Sequence, residues 1–240
     1  YKRQIYMRAS WNSGAICSSV ASGGIVTNCS VEGGTMVDSS NGAYYGGIAG
    51  SCEKGGISYC YTDLDIGVRQ FAGGIVGQGY AEYCLSNATI TRAGAAGGIC
   101  GRGGNVTNSA FSGRIVSNEG SIGGIIGEWG SATDCYFSGT ISGTYNVGGI
   151  IGAERWGHNM SNNYVAGSVQ GTNNTGIFVG SLSSNISLTN SYYDSSKVAG
   201  LPVCGLGNFK ECDVVDTFAF ANWDCLLYTS PSPRDPKTSR

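Results

Sequence analysis

The chain has 240 residues, of which 41 are glycine, with 12% charged side chains and a formal net charge of −2. Domains of average composition carry about 25% charged residues, so this chain must order itself by dense backbone pairing rather than by charge. With no basic block and no basic patch interleaved with aromatics, it is not expected to bind nucleic acid. No run approaches the roughly 18 uninterrupted apolar residues of a membrane helix, so no membrane span is expected either.

Residues 1–21 open on "YKRQIYMRAS", with neither an initiator methionine nor the apolar run of a secretory signal. They are expected to be the N-terminal edge of a chain that continues upstream. From residue 22 to 198 one short sequence recurs: "GGIAG" from Gly46, "GGIVG" from Gly73, "GGICG" from Gly97, and "GGIIG" from both Gly123 and Gly148. Successive starts lie 27, 24, 26 and 25 residues apart. Weaker copies are "SGGIV" around Gly23 and "TGIFVG" from Thr175.

A second signature runs in phase with the first, placing a small residue six positions before a β-branched one. It reads "CYTDLDI" from Cys60, "CLSNATI" from Cys84, "SAFSGRI" from Ser109, "CYFSGTI" from Cys135 and "NYVAGSV" from Asn163. Just ahead of the small residue stands Asn28, Asn108, Asp134, Asn162 or Asn190. Short apolar runs broken by Gly, Asn, Ser and Thr every few residues read as strands joined by tight turns, with no helical period.

A repeat of about 25 residues holding two or three short strands is too small for a propeller blade, but it fits one coil of a parallel β-solenoid. The predicted fold is therefore all-β, a right-handed β-helix of about seven coils, the hand following from the chirality of parallel crossovers. Stacked coils turn equivalent residues into ladders. Asn28, Asn108, Asn162 and Asn190 would hydrogen-bond from coil to coil at a turn. Ile25, Ile48, Ile75, Ile99, Ile125, Ile150 and Ile177 would form an inward apolar column. The paired glycines, Gly46 and Gly47, Gly73 and Gly74, Gly97 and Gly98, Gly123 and Gly124, Gly148 and Gly149, then meet a geometric need. That need is either a positive φ or a backbone approach too close for a Cβ.

Residues 199–224 are expected to close the array. Residues 225–240 break its texture, with Pro231, Pro233 and Pro236 among the last sixteen residues. Within them "CLLYTSPSPRD" resembles one reading frame of a common transposase sequencing adapter, so this tail is set aside from fold reasoning.

"VGGIIG" followed by "NYVAGSV", with its sibling copies, resembles the GLUG motif, a repeat found in tandem on bacterial surface and secreted proteins, adhesin-like proteins among them. The closing segment, with its "YYD", "GLG" and final "F…WD", is similar to the ends of such arrays. The resemblance implies a repetitive extracellular or cell-surface region acting as a stalk or adhesive face. It implies no catalytic residue.

The residues themselves carry little chemistry. His158 is alone, where a zinc peptidase helix needs two histidines, and no serine has glycine at both −2 and +2 as a nucleophile elbow requires. No metal-ligand spacing and no cofactor motif is present. Parallel β-helices can also be polysaccharide lyases or glycoside hydrolases, and the carboxylates that could serve such an enzyme are Asp63 with Asp65, Asp134 and Glu128. No acid repeats in a neighbouring coil beside Asp63 and Asp65 in this reading. Trp129 and Trp156 follow the closing glycines of adjacent coils, beside Glu128, Glu154 and Arg155. These aromatics would suit a patch for carbohydrate or for a host or other extracellular protein; alternatively both rings cover an apolar corner. Among the cysteines, those sharing a repeat position with Ser109 and Asn163 read as packing residues. Cys204 and Cys212 are the disulfide candidates in an oxidising compartment.

Overall fold

The computed structural model describes residues 6–9, 11–38 and 43–216, which contain strands, turns and bends and no helix. The expected closing "F…WD" and the tail from Cys225 lie outside the described residues. The strands pair in parallel and wind as a β-solenoid of about seven turns, one turn every 26 residues or so. A single column traces the stack: Cys17, Ala49, Val76, Cys100, Ile126, Ile151, Val179 and Cys204 are successive register partners. At the usual spacing between neighbouring strands this column is about 34 Å long.

One coil shows how the chain turns. The strand Phe71–Gly73 reaches the paired-glycine corner, and Val76–Gly79 runs along the second face. The short strand Ala81–Glu82 precedes a left-handed turn at Tyr83. Leu85–Ser86 and Thr89–Thr91 then lead back to Ala95–Gly97, one rung along. The strand that follows each glycine corner belongs to one eight-stranded sheet, and the other strands wrap around the remaining sides.

The core is a set of inward columns. Ile48, Ile75, Ile99, Ile125, Ile150 and Ile177 are all buried, and each contributes roughly 1.5 to 3 kcal/mol of hydrophobic burial. A second column of Met36, Ile66, Ile90, Ile115, Ile141 and Val169 faces the same interior.

The corner glycines answer the close-approach alternative. None of the ten paired glycines has a positive φ. A Cβ on Gly123 would come to 1.8 Å from the Ile126 carbonyl oxygen of its own coil. One on Gly124 would come to 2.1 Å from the Gly149 oxygen of the next coil and 2.6 Å from the Phe137 ring. The first glycine thus lets the chain fold back on itself, and the second opens space for the side chain opposite. That opposite position is Thr62, Ser86, Phe111, Phe137 and Val165 in successive coils. Phe111 and Phe137 stack there with centroids 6.2 Å apart.

The structure corrects the first copy of the repeat. Gly14, not Gly23, is the register partner of Gly46, and Ile16 donates its N–H to the Ile48 carbonyl. Gly23 lies in a turn with φ +81, and Ile25 is 74% exposed rather than inward. The reason is the length of the first turn. Cys17 precedes its partner Ala49 by 32 residues, and the extra chain is taken up partly at the irregularity between Glu32 and Thr35. "SGGIV" therefore leads into the short strand Val26–Thr27, which pairs with Ile57–Ser58.

The turn ladder is more extensive than the asparagines alone predict. Asn28, Tyr59, Tyr83, Asn108, Asp134, Asn162 and Asn190 all hold φ between 48° and 57°. A left-handed conformation costs a residue with a Cβ roughly 1 to 2 kcal/mol, offset by what stacking adds. Asn162 Nδ2 donates to Asp134 Oδ1 at 2.9 Å, and the Tyr59 and Tyr83 rings stack at 4.8 Å. The small residue after each turn closes it. Cys60, Cys84, Ser109, Cys135 and Ser191 each donate a side-chain hydrogen to the carbonyl two residues earlier. Three side chains at this position accept an N–H of the preceding rung: Ser109 Oγ from Cys84, Asn163 Oδ1 from Cys135, and Ser191 Oγ from Asn163. Cys, Ser and Asn are interchangeable here because all three are small and can hydrogen-bond.

Candidate functional site

Glu128, Trp129, Arg155 and Trp156, singled out from the sequence, come together on the outer side of two adjacent coils. Arg102, Glu128 and Ala153 are register partners that follow the glycine corner along one outward row. Trp129, one position beyond Glu128, has φ +56 in the place where the preceding coil uses Gly103 at φ +58. A tryptophan is an unfavourable choice for that conformation, and strain of this kind collects where function constrains the chain. Its N–H donates to the Ala153 carbonyl at 2.9 Å.

Trp129 is the centre of an aromatic and cationic stack. Trp156 meets it edge to face with centroids 6.0 Å apart, and Trp156 is 71% exposed. The Arg102 guanidinium lies between two rings, 3.9 Å from the Trp129 centroid and 4.4 Å from that of Phe71. Arg155 approaches the Trp129 ring at 5.8 Å. Phe71 stacks in turn on Tyr44 at 5.4 Å. The strip therefore runs Tyr44, Phe71, Arg102, Trp129, Trp156 along the axis. Each cation–π pair contributes about 0.5 to 2 kcal/mol according to its burial.

Among the described residues neither Arg102 nor Arg155 has a carboxylate partner. Arg102 Nε and Trp129 Nε1 are buried without a hydrogen-bond acceptor. Glu128 turns aside from Arg102 and accepts a hydrogen bond from Ser121 Oγ at 3.1 Å, itself held by Asn146 Nδ2 at 3.3 Å.

Glu154, which the sequence places beside the exposed rings, is instead fully buried. Its Oε2 accepts the N–H of Gly130 at 2.8 Å, directly after Trp129. Its Oε1 accepts the N–H groups of Trp156 at 2.6 Å and Gly157 at 3.0 Å, and lies 3.0 Å from His158 Nδ1. One carboxylate thus ties down both turns that carry the tryptophans. Charge-assisted hydrogen bonds of this kind are about twice as strong as neutral ones, which is how two aperiodic loops hold a fixed spacing. With its oxygens occupied and no solvent access, Glu154 is a positioning residue. His158, half-exposed, completes that knot.

The remaining acids are dispersed. Asp63 does have an acidic neighbour, since its register partner in the preceding coil is Glu32, and both are exposed. Asp65 pairs with Thr35 and Thr89, and Asp134 belongs to the turn ladder. Among the described residues no three acid, histidine or cysteine side chains are grouped to hold a metal. Cys204 and Cys212 carry free thiols, in rungs that pair with Val179 and Leu188. Burial pushes the Cys204 thiol up to about 11 and raises that of Cys212 as well.

Arg102 and Phe71 are members of the strip that sequence reasoning missed. A signal existed in the outward row Gln78, Arg102, Glu128, which becomes visible once the repeats are aligned by register. Compared with family models, curated proteins and solved structures, the chain has no match.

Proposed function

We propose that this solenoid is a non-enzymatic repeat region of a secreted or cell-surface protein, and that it binds a ligand along the strip built on Arg102, Glu128, Trp129, Arg155 and Trp156. The ligand class is a carbohydrate or a segment of an extracellular protein. Both are recognised by aromatic faces flanked by hydrogen-bonding groups. The resemblance of the repeats to the GLUG motif supports the location. The observation that carries the binding site is Trp129, held in a left-handed conformation and stacked against an exposed Trp156.

The test is a screen of the protein against a glycan array and extracellular-matrix proteins, followed by titration calorimetry with the Trp156→Ala variant. Binding is expected to weaken at least about tenfold, or 1.4 kcal/mol, with the melting temperature unchanged. Failure of the wild type to bind any glycan or matrix protein, or equal binding by the variant, overturns the proposal.

The competing reading, a carbohydrate-active β-helix enzyme, draws on the adjacency of Glu32 and Asp63, since glycoside cleavage uses paired carboxylates. Release of reducing ends from a polysaccharide panel, abolished by Asp63→Asn, would favour it.

A further inference from the structure

Three consecutive coils place cysteine at the same rung position. Ser30 pairs with Tyr61, and Tyr61 with Leu85, so Cys29, Cys60 and Cys84, each one residue earlier, stack in line. Neighbouring strands lie about 4.8 Å apart, inside the 4.4 to 6.8 Å range of Cα separations that a disulfide spans. The Cys60 sulfur leans toward the first coil. Besides its bond to the Ser58 carbonyl at 3.2 Å, it reaches the Val26 carbonyl of the preceding coil at 3.7 Å. Exposure differs along the column: Cys29 is half-buried, whereas Cys60 is 2% exposed and Cys84 fully enclosed. A small oxidant can therefore reach the column only at Cys29.

We propose that Cys29 and Cys60 form a disulfide that staples the first coil to the second when the protein meets a low-molecular-weight disulfide such as oxidised glutathione. The Cys29 thiolate attacks one sulfur of the glutathione disulfide. The glutathione S–S bond breaks, a glutathione–Cys29 mixed disulfide forms, and one glutathione thiolate leaves. The Cys60 thiolate then attacks the Cys29 sulfur and expels the second glutathione. Two electrons pass from the cysteine pair to oxidised glutathione, and the two thiol protons end on the two glutathione thiols. The neighbouring Cys84 side chain lowers the Cys60 thiol to about 7 against the opposing effect of burial, which favours the resolving step. Burial raises the Cys29 thiol, so attack by Cys29 on the glutathione disulfide is the slower step.

The staple lies where the stack is least covered, because Ile16 and Ile25 in the first coil are exposed. It closes a loop held otherwise by rung pairing and by core side chains such as Val31 and Met36. The same column carries Ser109 and Ser191 in other coils, so serine at either position keeps the turn-closing hydrogen bond and the fold.

The experiment is oxidation of the folded chain with glutathione disulfide, alkylation of remaining thiols, and non-reducing peptide mapping by mass spectrometry. The expected product links Cys29 to Cys60 and is absent in Cys60→Ser and Cys29→Ser, whose circular dichroism matches the wild type. Oxidation should raise the thermal midpoint of the wild type by about 5 to 10 °C and leave either variant unmoved. Complete alkylation of both thiols after oxidation, or a link joining either cysteine to any other residue, overturns the proposal.

Discussion

The corner at Gly123–Gly124 and the turn at Glu128–Gly130 belong to the same coil, yet they obey different rules. The corner repeats along the stack, and its side chains are dictated by close packing: the Gly149 carbonyl of the next coil at 2.1 Å and the Phe137 ring of the same coil at 2.6 Å leave no room for a Cβ on Gly124. At the turn, Trp129 stands where the previous coil has Gly103 and the next coil has a buried Glu154. Stacking fixes residues whose neighbours are copies of themselves. It leaves free those at the outer turns, and there this chain has placed Trp129, Arg155 and Trp156.

The most damaging way to test that contrast is to remove the packing opposite the corner. Phe137→Ala empties the space that Gly124 creates, and it is expected to cost about 3 to 5 kcal/mol by chemical denaturation; a loss below about 1 kcal/mol would mean that the corner is not close-packed. Gly124→Ala forces a methyl group against the Gly149 carbonyl and should cost about 3 kcal/mol, the upper part of the overpacking range. Its counterpart at the outer turn, Gly157→Ala, has a positive φ but nothing within 4 Å, and should cost only about 1 kcal/mol. Equal losses for these two would erase the distinction.

Smaller in effect, and specific to the interior, is a dependence on pH. Burial pushes the thiols of Cys100 and Cys135 up to about 12, whereas an unfolded thiol titrates near 8.5. Between those values the folded chain holds more protons than the unfolded one, so stability is fully present below about pH 8.5. It falls by about 1.4 kcal/mol per pH unit for each thiol as pH rises toward 12. Urea denaturation at pH 8 and pH 10 should show this fall, and Cys135→Ser should lessen the slope. An identical slope in that variant would refute the assignment.

How much of this was legible beforehand follows the same divide. The period, the inward isoleucines from Ile48 onward and the need for paired glycines could be read because stacking makes each a copy of its neighbour, while the choice between a positive φ and a close approach rests on the packing itself. Gly23 and Ile25 misled because "SGGIV" matches the repeat better than "SGAIC" does, while only the pairing of Gly14 with Gly46 reveals the longer first turn. Tyr59 and Tyr83 gave no sign of a left-handed backbone, a conformation imposed on them by the asparagines and aspartate in line with them. Trp129, Trp156, Glu128 and Arg155 stand out in the sequence because they interrupt the pattern. The burial of Glu154 and the threading of Arg102 between two rings depend on loop geometry that no repeat encodes.

The corner glycines bear on how such a chain changes length. Each corner touches its own coil and the coils on either side, so a whole turn such as residues 98–123 can be deleted or duplicated and the new junction meets surfaces of the same shape. The molecule behaves as a ruler graduated in steps of about 4.8 Å, on which the distance between ends is adjusted by copying one coil rather than by redesigning a core.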